Sequence, residues 1–297
     1  MTGLPLTHLP LTPFLASVAQ EALPLFGKES FLSFLTNSCF VAAIVLGLVF
    51  WFSRKATTNM QLVPHPAQNL FELIVEFLYA RVSEIVGPKV APKVFPLLAT
   101  LFVFILVSNW FGLLPGVGTI GFGEGSYISI SHMETPLLRP ATADMNMTLG
   151  MALMFMVVWF VITLREVGLV AFLKHLFCPK GRFTGFMAYL MMVIFAVVGI
   201  IEVVSICIRP VSLSLRLFGN VFAGETLLHT MMNLMQVLGL HPIFQWLGRL
   251  VLPIPFYFME LLVGLVQAVV FTLLCSVYVL LSTHEEHEDH AEGEHDH

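Results

Sequence analysis

Long apolar runs, separated by short polar or Pro/Gly-rich stretches, set the pattern of this chain. Residues 31–52 are apolar and end at Arg54-Lys55, which predicts a first membrane span. Residues 68–86 differ: Glu72, Glu76 and Glu84 interrupt Leu70, Ile74, Val75, Phe77, Leu78, Val82 and Ile85 at helical period. That pattern predicts an amphipathic helix on the membrane surface. Residues 94–114 form a second span closed by Pro115-Gly116, and residues 145–164 a third. The Gly-rich stretch 115–140 between them reads as a loop, without the strand–turn–helix setting of a phosphate-binding loop.

Residues 186–238 are almost continuously apolar, apart from Glu202, Arg209, Arg216, Asn220, Glu225 and His229. Hydropathy alone divides them into two spans at Arg209-Pro210. The turn chemistry there is poor, because no Gly, Asn or Asp flanks Pro210. The alternative is one helix kinked at the proline. Some 50 residues at ~1.5 Å each reach ~75 Å, more than twice the ~30 Å hydrocarbon core. Such a helix tilts steeply, roughly 65° from the normal. Residues 250–282 are likewise too long for an upright span.

Charge placement favours the single helix. With residues 186–238 as one crossing, Arg54, Lys55, Arg81, Lys89, Lys93, Arg165, Lys174, Lys180 and Arg182 fall on one side. Only Lys28, Arg139 and Arg249 fall on the other, a positive-inside asymmetry. The fold class expected is an all-α polytopic membrane protein with five crossings, one surface amphipathic helix, and two long, steeply tilted last helices. Its N-terminus lies outside and its C-terminus in the cytoplasm. Residues 1–30 read as an exposed arm, 31–283 as a single transmembrane helical domain, and 284–297 as a tail.

Composition agrees with this class. The chain of 297 residues is 57% hydrophobic and 11% charged, against about 25% charged in soluble domains. Residues 1–27 contain no Lys or Arg, so no cleavable signal peptide is expected and the first span serves as its own insertion signal. The cysteines Cys39, Cys178, Cys207 and Cys275 form no CxxC and read as small buried hydrophobes. The net charge of −5 comes largely from the tail. That tail mixes His with Asp and Glu in no closed zinc pattern and reads as a solvated, disordered segment.

The candidate chemistry lies in the polar groups inside the spans. Arg216 carries a guanidinium, a group that stays charged in proteins. Burying it in lipid costs at least ~2.5 kcal/mol on insertion scales. It needs an acidic or polar partner, or water. Glu202, Arg209 and Arg216 recur every seven residues and share a helix face, with Asn220 near it. Glu225 and His229 point the opposite way. On the last helix Glu260 and Gln267 share a face. Simpler readings exist for two of these: Arg209 as a snorkelling interfacial residue, and Glu202 as its ion-pair partner. Arg216 and the carboxylates of Glu225 and Glu260 suit an ion path or proton relay. Desolvation keeps a carboxyl neutral, while a nearby cation ionises it. At ~4 Å and an effective dielectric of ~20, the attraction to Arg216 is about 4 kcal/mol before desolvation. A moving acid is thus neutral in lipid and ionised beside Arg216.

The segment from Pro210 through Arg216, Gly219-Asn220 and Gly224-Glu225 resembles the signature of the a subunit of rotary F-type ATP synthases. Ala143-Asp144-Met-Asn146-Met-Thr148, Gln267-Ala-Val-Val-Phe and Val-Tyr278-Val-Leu-Leu-Ser support the resemblance, which extends over about residues 35–285. It implies an ion-translocating stator subunit, not catalytic by itself, that works with a ring of c subunits. Two offset half-channels reach the ring from opposite sides. Arg216 matches the stator arginine that forces ion release from a ring carboxylate and blocks a direct leak. Asn220, Glu225, Glu260 and Gln267 match outer-channel or near-arginine positions, Glu202 the acid near the inner channel, and Asp144 and Asn146 a further polar motif. Relatives pair a His with a Glu at the positions of Glu260 and Glu225; both are Glu here, and His229 is a candidate to supply the imidazole. The family's two long, tilted helices favour the single-helix reading of 186–238.

The partners so implied are the c-ring, b-type peripheral stalk subunits, the rest of the ATP synthase complex and the lipid bilayer. No cofactor and no nucleic acid enter the reading. Chain length and the acidic tail suggest a bacterial inner membrane, and the most direct ion assignment is the proton. A secondary transporter with a mid-membrane Arg/Glu site is the alternative, but the inverted halves it calls for are not evident. An intramembrane metal hydrolase needs a ligand set such as HExxH within a span, and the chain has none.

Overall fold

The computed structural model describes residues 36–58, 60–114, 121–122, 128–129, 135–136, 140–166, 168–169, 172, 186–239 and 241–293. In chain order the helices are α1 (Asn37–Thr57), α2 (Pro66–Val86), α3 (Ala91–Gly112), α4 (Met145–Glu166), α5 (Phe186–Val237), α6 (Pro242–Val251) and α7 (Pro253–Gly293). Among the described residues, five segments are long and apolar enough to cross a membrane: Asn37–Thr57, Ala91–Gly112, Met145–Arg165, Tyr189–Met232 and Ile243–Leu281. Helices are the expected solution in lipid, because every backbone N–H and C=O must be satisfied within the segment. The all-α polytopic class is the observed one.

The first span continues beyond 52, through Arg54 and Lys55 in the last turn of α1. Their cations lie 5.8 Å from the Phe50 ring and 5.1 Å from the Trp51 ring. Basic residues suit a helix C-terminus, and the aromatic rings give them an attractive face. Helix α2 begins with a proline at its N-terminus and ends at Gly87, whose φ of 84° favours glycine. Leu78, Val82 and Val86 recur every four residues and are buried, whereas Leu70, Leu73 and Phe77 form an exposed apolar stripe. Two stripes on one helix fit an element with protein on one side and lipid on the other.

The question left open at Arg209-Pro210 has a clear answer. Helix α5 runs unbroken for 52 residues with Pro210 inside it. Proline removes the N–H that would bond the carbonyl of Ile206, a loss that membrane helices tolerate. Only where Gly239 takes a φ of 65° does the chain turn, before the short amphipathic α6.

Two expectations change. The Gly-rich stretch after α3 is not only loop: β1 (Gly121–Phe122), β2 (Ile128–Ser129) and β3 (Thr135–Pro136) form a small antiparallel sheet in the order β2-β1-β3. Gly121 lies opposite Ser129 on one side and Pro136 on the other. Pro136 is tolerated because β3 is an edge strand. The tail was expected to be disordered, yet α7 continues to Gly293. Extending an existing helix needs no new nucleus, and Glu and Ala are good helix formers. Cys39 is half-buried and Cys275 buried, as expected, but Cys207 is exposed on α5; Cys178 lies outside the described residues.

The chain divides into two compact units. The first comprises Met1–Leu48, Ile105–Met147 and Phe218–Val266. Its buried residues include Val41, Val45, Ile105, Asn109, Thr142 and Leu228. The second comprises Val49–Phe104, Thr148–Leu217 and Gln267–His297. It buries Val94, Leu98, Phe155, Leu213, Leu217, Phe271 and Val279. There the Trp159 indole N–H donates to the Tyr278 carbonyl at 2.9 Å, and the Thr148 and Ser214 hydroxyls meet at 3.0 Å.

Candidate functional site

In the second unit, Arg216 lies on the exposed side of α5. Its orientation follows from its neighbours. Leu213, Ser214 and Leu217 are buried, and the Thr148–Ser214 hydrogen bond fixes that buried side against α4. Leu215 and Arg216 are left on the outer side. Among the described residues, no hydrogen bond or ion pair reaches the Arg216 guanidinium. A charge that cannot be discharged therefore sits on an apolar helix surface.

Arg209 behaves differently. Its Nη2 donates to Glu202 Oε1 at 3.0 Å, and its guanidinium lies 5.1 Å from the centroid of the Tyr278 ring. The Arg209 side chain is 15% exposed and that of Glu202 49%. The simple pairing of these two is thus realised, and Arg209 packs on an aromatic face instead of extending into solvent. Gln267 belongs to the same unit and is buried.

Glu225 and Glu260 come together in the first unit. Both are half-buried, Glu225 on α5 and Glu260 on α7, and the two carboxylates interact electrostatically. A Cβ added to Gly224 would collide with the Glu260 carboxyl, so this glycine lets the acid lie directly on the α5 backbone. Asn220 is half-buried and His229 exposed on the same helix.

Asp144 and Asn146 serve a local purpose. Asp144 Oδ1 accepts the backbone N–H of Asn146 at 2.9 Å at the start of α4. This is a helix N-cap, which satisfies an otherwise orphaned donor. Asp144 is buried and Asn146 exposed.

Sequence reasoning missed Asn109, Trp110 and Thr142. Thr142 Oγ1 donates to Asn109 Oδ1 at 2.8 Å, and Asn109 Nδ2 donates to the Gly264 carbonyl at 3.3 Å. Trp110 Nε1 donates to the Leu261 carbonyl at 3.1 Å. These carbonyls lie in α7, in the turn that follows Glu260. The polar Asn109 inside an apolar span was the available signal.

The fold defines a class, a polytopic helical membrane protein, whose described spans carry an arginine with no described hydrogen bond or ion pair and, in the other unit, two interacting carboxyls. Comparison with known proteins gives the family. The family model for the ATP synthase A chain matches residues 35–280. ATP synthase subunit a of Acidothermus cellulolyticus is 32% identical over 263 residues, covering 86% of this chain and 80% of that protein. Subunit a of Aliarcobacter butzleri is 33% identical over 247 residues, covering 83% and 89%. Subunit a of Mycobacterium ulcerans is 32% identical over 255 residues, covering 86% and 88%. The chain belongs to the ATP synthase A chain family.

Proposed function

We propose that this protein is the proton-translocating stator subunit of a rotary ATP synthase, and that Arg216 controls proton release. One observation carries the reading: an arginine without a described partner stands on the exposed side of α5. Of an 18-residue apolar window within Tyr189–Met232, only 6% is buried within the chain. Such a charge is retained when its partner lies on another molecule. A ring of c subunits carrying mid-membrane carboxyls supplies that partner. Each carboxyl crosses lipid in the neutral form and is ionised on reaching Arg216.

Two offset half-channels complete the cycle. The Glu225/Glu260 pair, with Asn220, takes protons from the outer side and delivers them to the ring, and Gln267 is a further residue of the ion-translocation set. Glu202 belongs to the inner exit, where its pairing with Arg209 keeps it in one place. His229, Asp144 and Asn146 are secondary members of the set, Asp144 acting chiefly through its cap on α4. The protein makes no covalent bond itself; it converts proton flow into torque on the ring. The b-type stalk subunits hold it against rotation. Charge asymmetry supports an outside N-terminus and a cytoplasmic C-terminus in a bacterial inner membrane.

The test is ATP-driven acidification of inverted vesicles carrying Arg216→Ala, beside the passive leak after the soluble ATPase head is removed. The expected result is lost pumping by a fully assembled complex, with a raised leak. Normal pumping with a normal leak overturns the reading.

A further inference from the structure

We propose that Asn109, Thr142 and Trp110 form a clamp that sets the rotation and height of α7, and so holds Glu260 against Gly224 beside Glu225. The proposal rests on the reading of Glu225 and Glu260 as a proton-carrying pair.

Three observations within the first unit carry it. Asn109 and Trp110, adjacent at the end of α3, reach the α7 carbonyls of Gly264 and Leu261. A carbonyl inside a helix has already accepted one N–H, and its second lone pair is open to a side-chain donor. Carbonyls three residues apart lie on neighbouring turns of one helix side. Two donors on them therefore oppose both rotation about the axis and sliding along it. Second, the amide of Asn109 is oriented from behind: Thr142 Oγ1 donates to Oδ1, which turns Nδ2 toward Gly264. Thr142 is fully buried and Asn109 is 8% exposed, so neither exchanges its partner easily for water. Third, Gly264 permits the approach, because a Cβ there would stand 3.2 Å from Asn109 Cβ.

The consequence falls on Glu260. It lies one residue before Leu261 and one helical turn before Gly264, so it turns with the clamped segment. Its carboxyl occupies the space beside Gly224 that a methyl would fill. A small rotation of α7 carries that carboxyl away from Glu225. Asn109, Thr142 and Trp110 are thus positioning residues that act through Glu260.

The test uses the assembled complex in inverted vesicles, with pumping rates divided by the amount of complex. Thr142→Val removes the hydroxyl at constant volume, and Trp110→Phe removes the indole N–H while keeping a ring. Each is expected to slow pumping about fivefold, the equivalent of one hydrogen bond. Thr142→Ser, which keeps the donor, is expected to restore the rate. The deciding arm is the double variant with Glu260→Gln, whose residual pumping is sustained by Glu225. If the clamp acts through Glu260, adding Trp110→Phe or Thr142→Val to Glu260→Gln slows pumping no further. Losses that multiply, or a Thr142→Ser protein as slow as Thr142→Val, overturn the clamp alone. Normal pumping by Glu260→Gln overturns the carboxyl pair, and the clamp with it.

Discussion

Helices α3 and α5 are both apolar enough to span a membrane, but they meet opposite surroundings. Of an 18-residue apolar window within Ala91–Gly112, 50% is buried within the chain, against 6% of such a window within Tyr189–Met232. Helix α3 spends its polar groups inward, with Asn109 and Trp110 bonded to α7. Helix α5 carries Ile194, Val197, Ile201 and Val204 outward, together with Arg216. Side chains on α3 therefore hold the subunit together, whereas those on the outer side of α5 are available to lipid or to another subunit.

Several substitutions sharpen or break that contrast. The largest effect belongs to Arg216. Arg216→Ala is expected to reduce ATP-driven pumping to background, and Arg216→Lys to fall well below wild type, because an ammonium lacks the guanidinium's planar, delocalised charge. The isolated subunit should unfold as before in detergent, since no described residue bonds to that side chain. A destabilised Arg216→Ala subunit would place the arginine in the fold and erase the distinction.

Next come substitutions inside the packed regions. Leu98 on α3 is fully buried. Leu98→Ala is expected to cost about 2–5 kcal/mol, from lost contacts and the cavity left behind, read as a lower thermal midpoint in detergent. Thr148→Val breaks the hydrogen bond to Ser214 and should cost about 1 kcal/mol. It should also raise the passive proton leak, because that bond helps direct Arg216 outward. An unchanged leak would mean that packing of Leu213 and Leu217 alone orients the helix.

The smallest effect on stability is expected on the outer side of α5. Ile201 is 62% exposed, and Ile201→Ala should change the subunit's stability by no more than about 0.5 kcal/mol. Its effect should appear instead as weaker retention of the ring during purification. Equal losses of stability for Ile201→Ala and Leu98→Ala would abolish the contrast between the two helices.

Much of this could be read from residue order alone, and for a physical reason. Lipid forbids unsatisfied backbone, so apolar runs become helices, and Lys/Arg placement orients them. The sequence determined the five apolar helices and the amphipathic helix α2. It left Arg209-Pro210 ambiguous, because a proline ends some helices and merely kinks others. The pattern did not reveal Asn109 and Trp110, whose bonds to α7 span 155 and 151 residues of chain, or Thr142, bonded to Asn109 across 33 residues; such separations leave no local spacing. Only the tertiary structure decided that Arg209 packs on the Tyr278 ring and that Gly224 makes room for Glu260. Periodicity tells which side of a helix a residue occupies; it does not tell what that side meets, which depends on how distant segments pack.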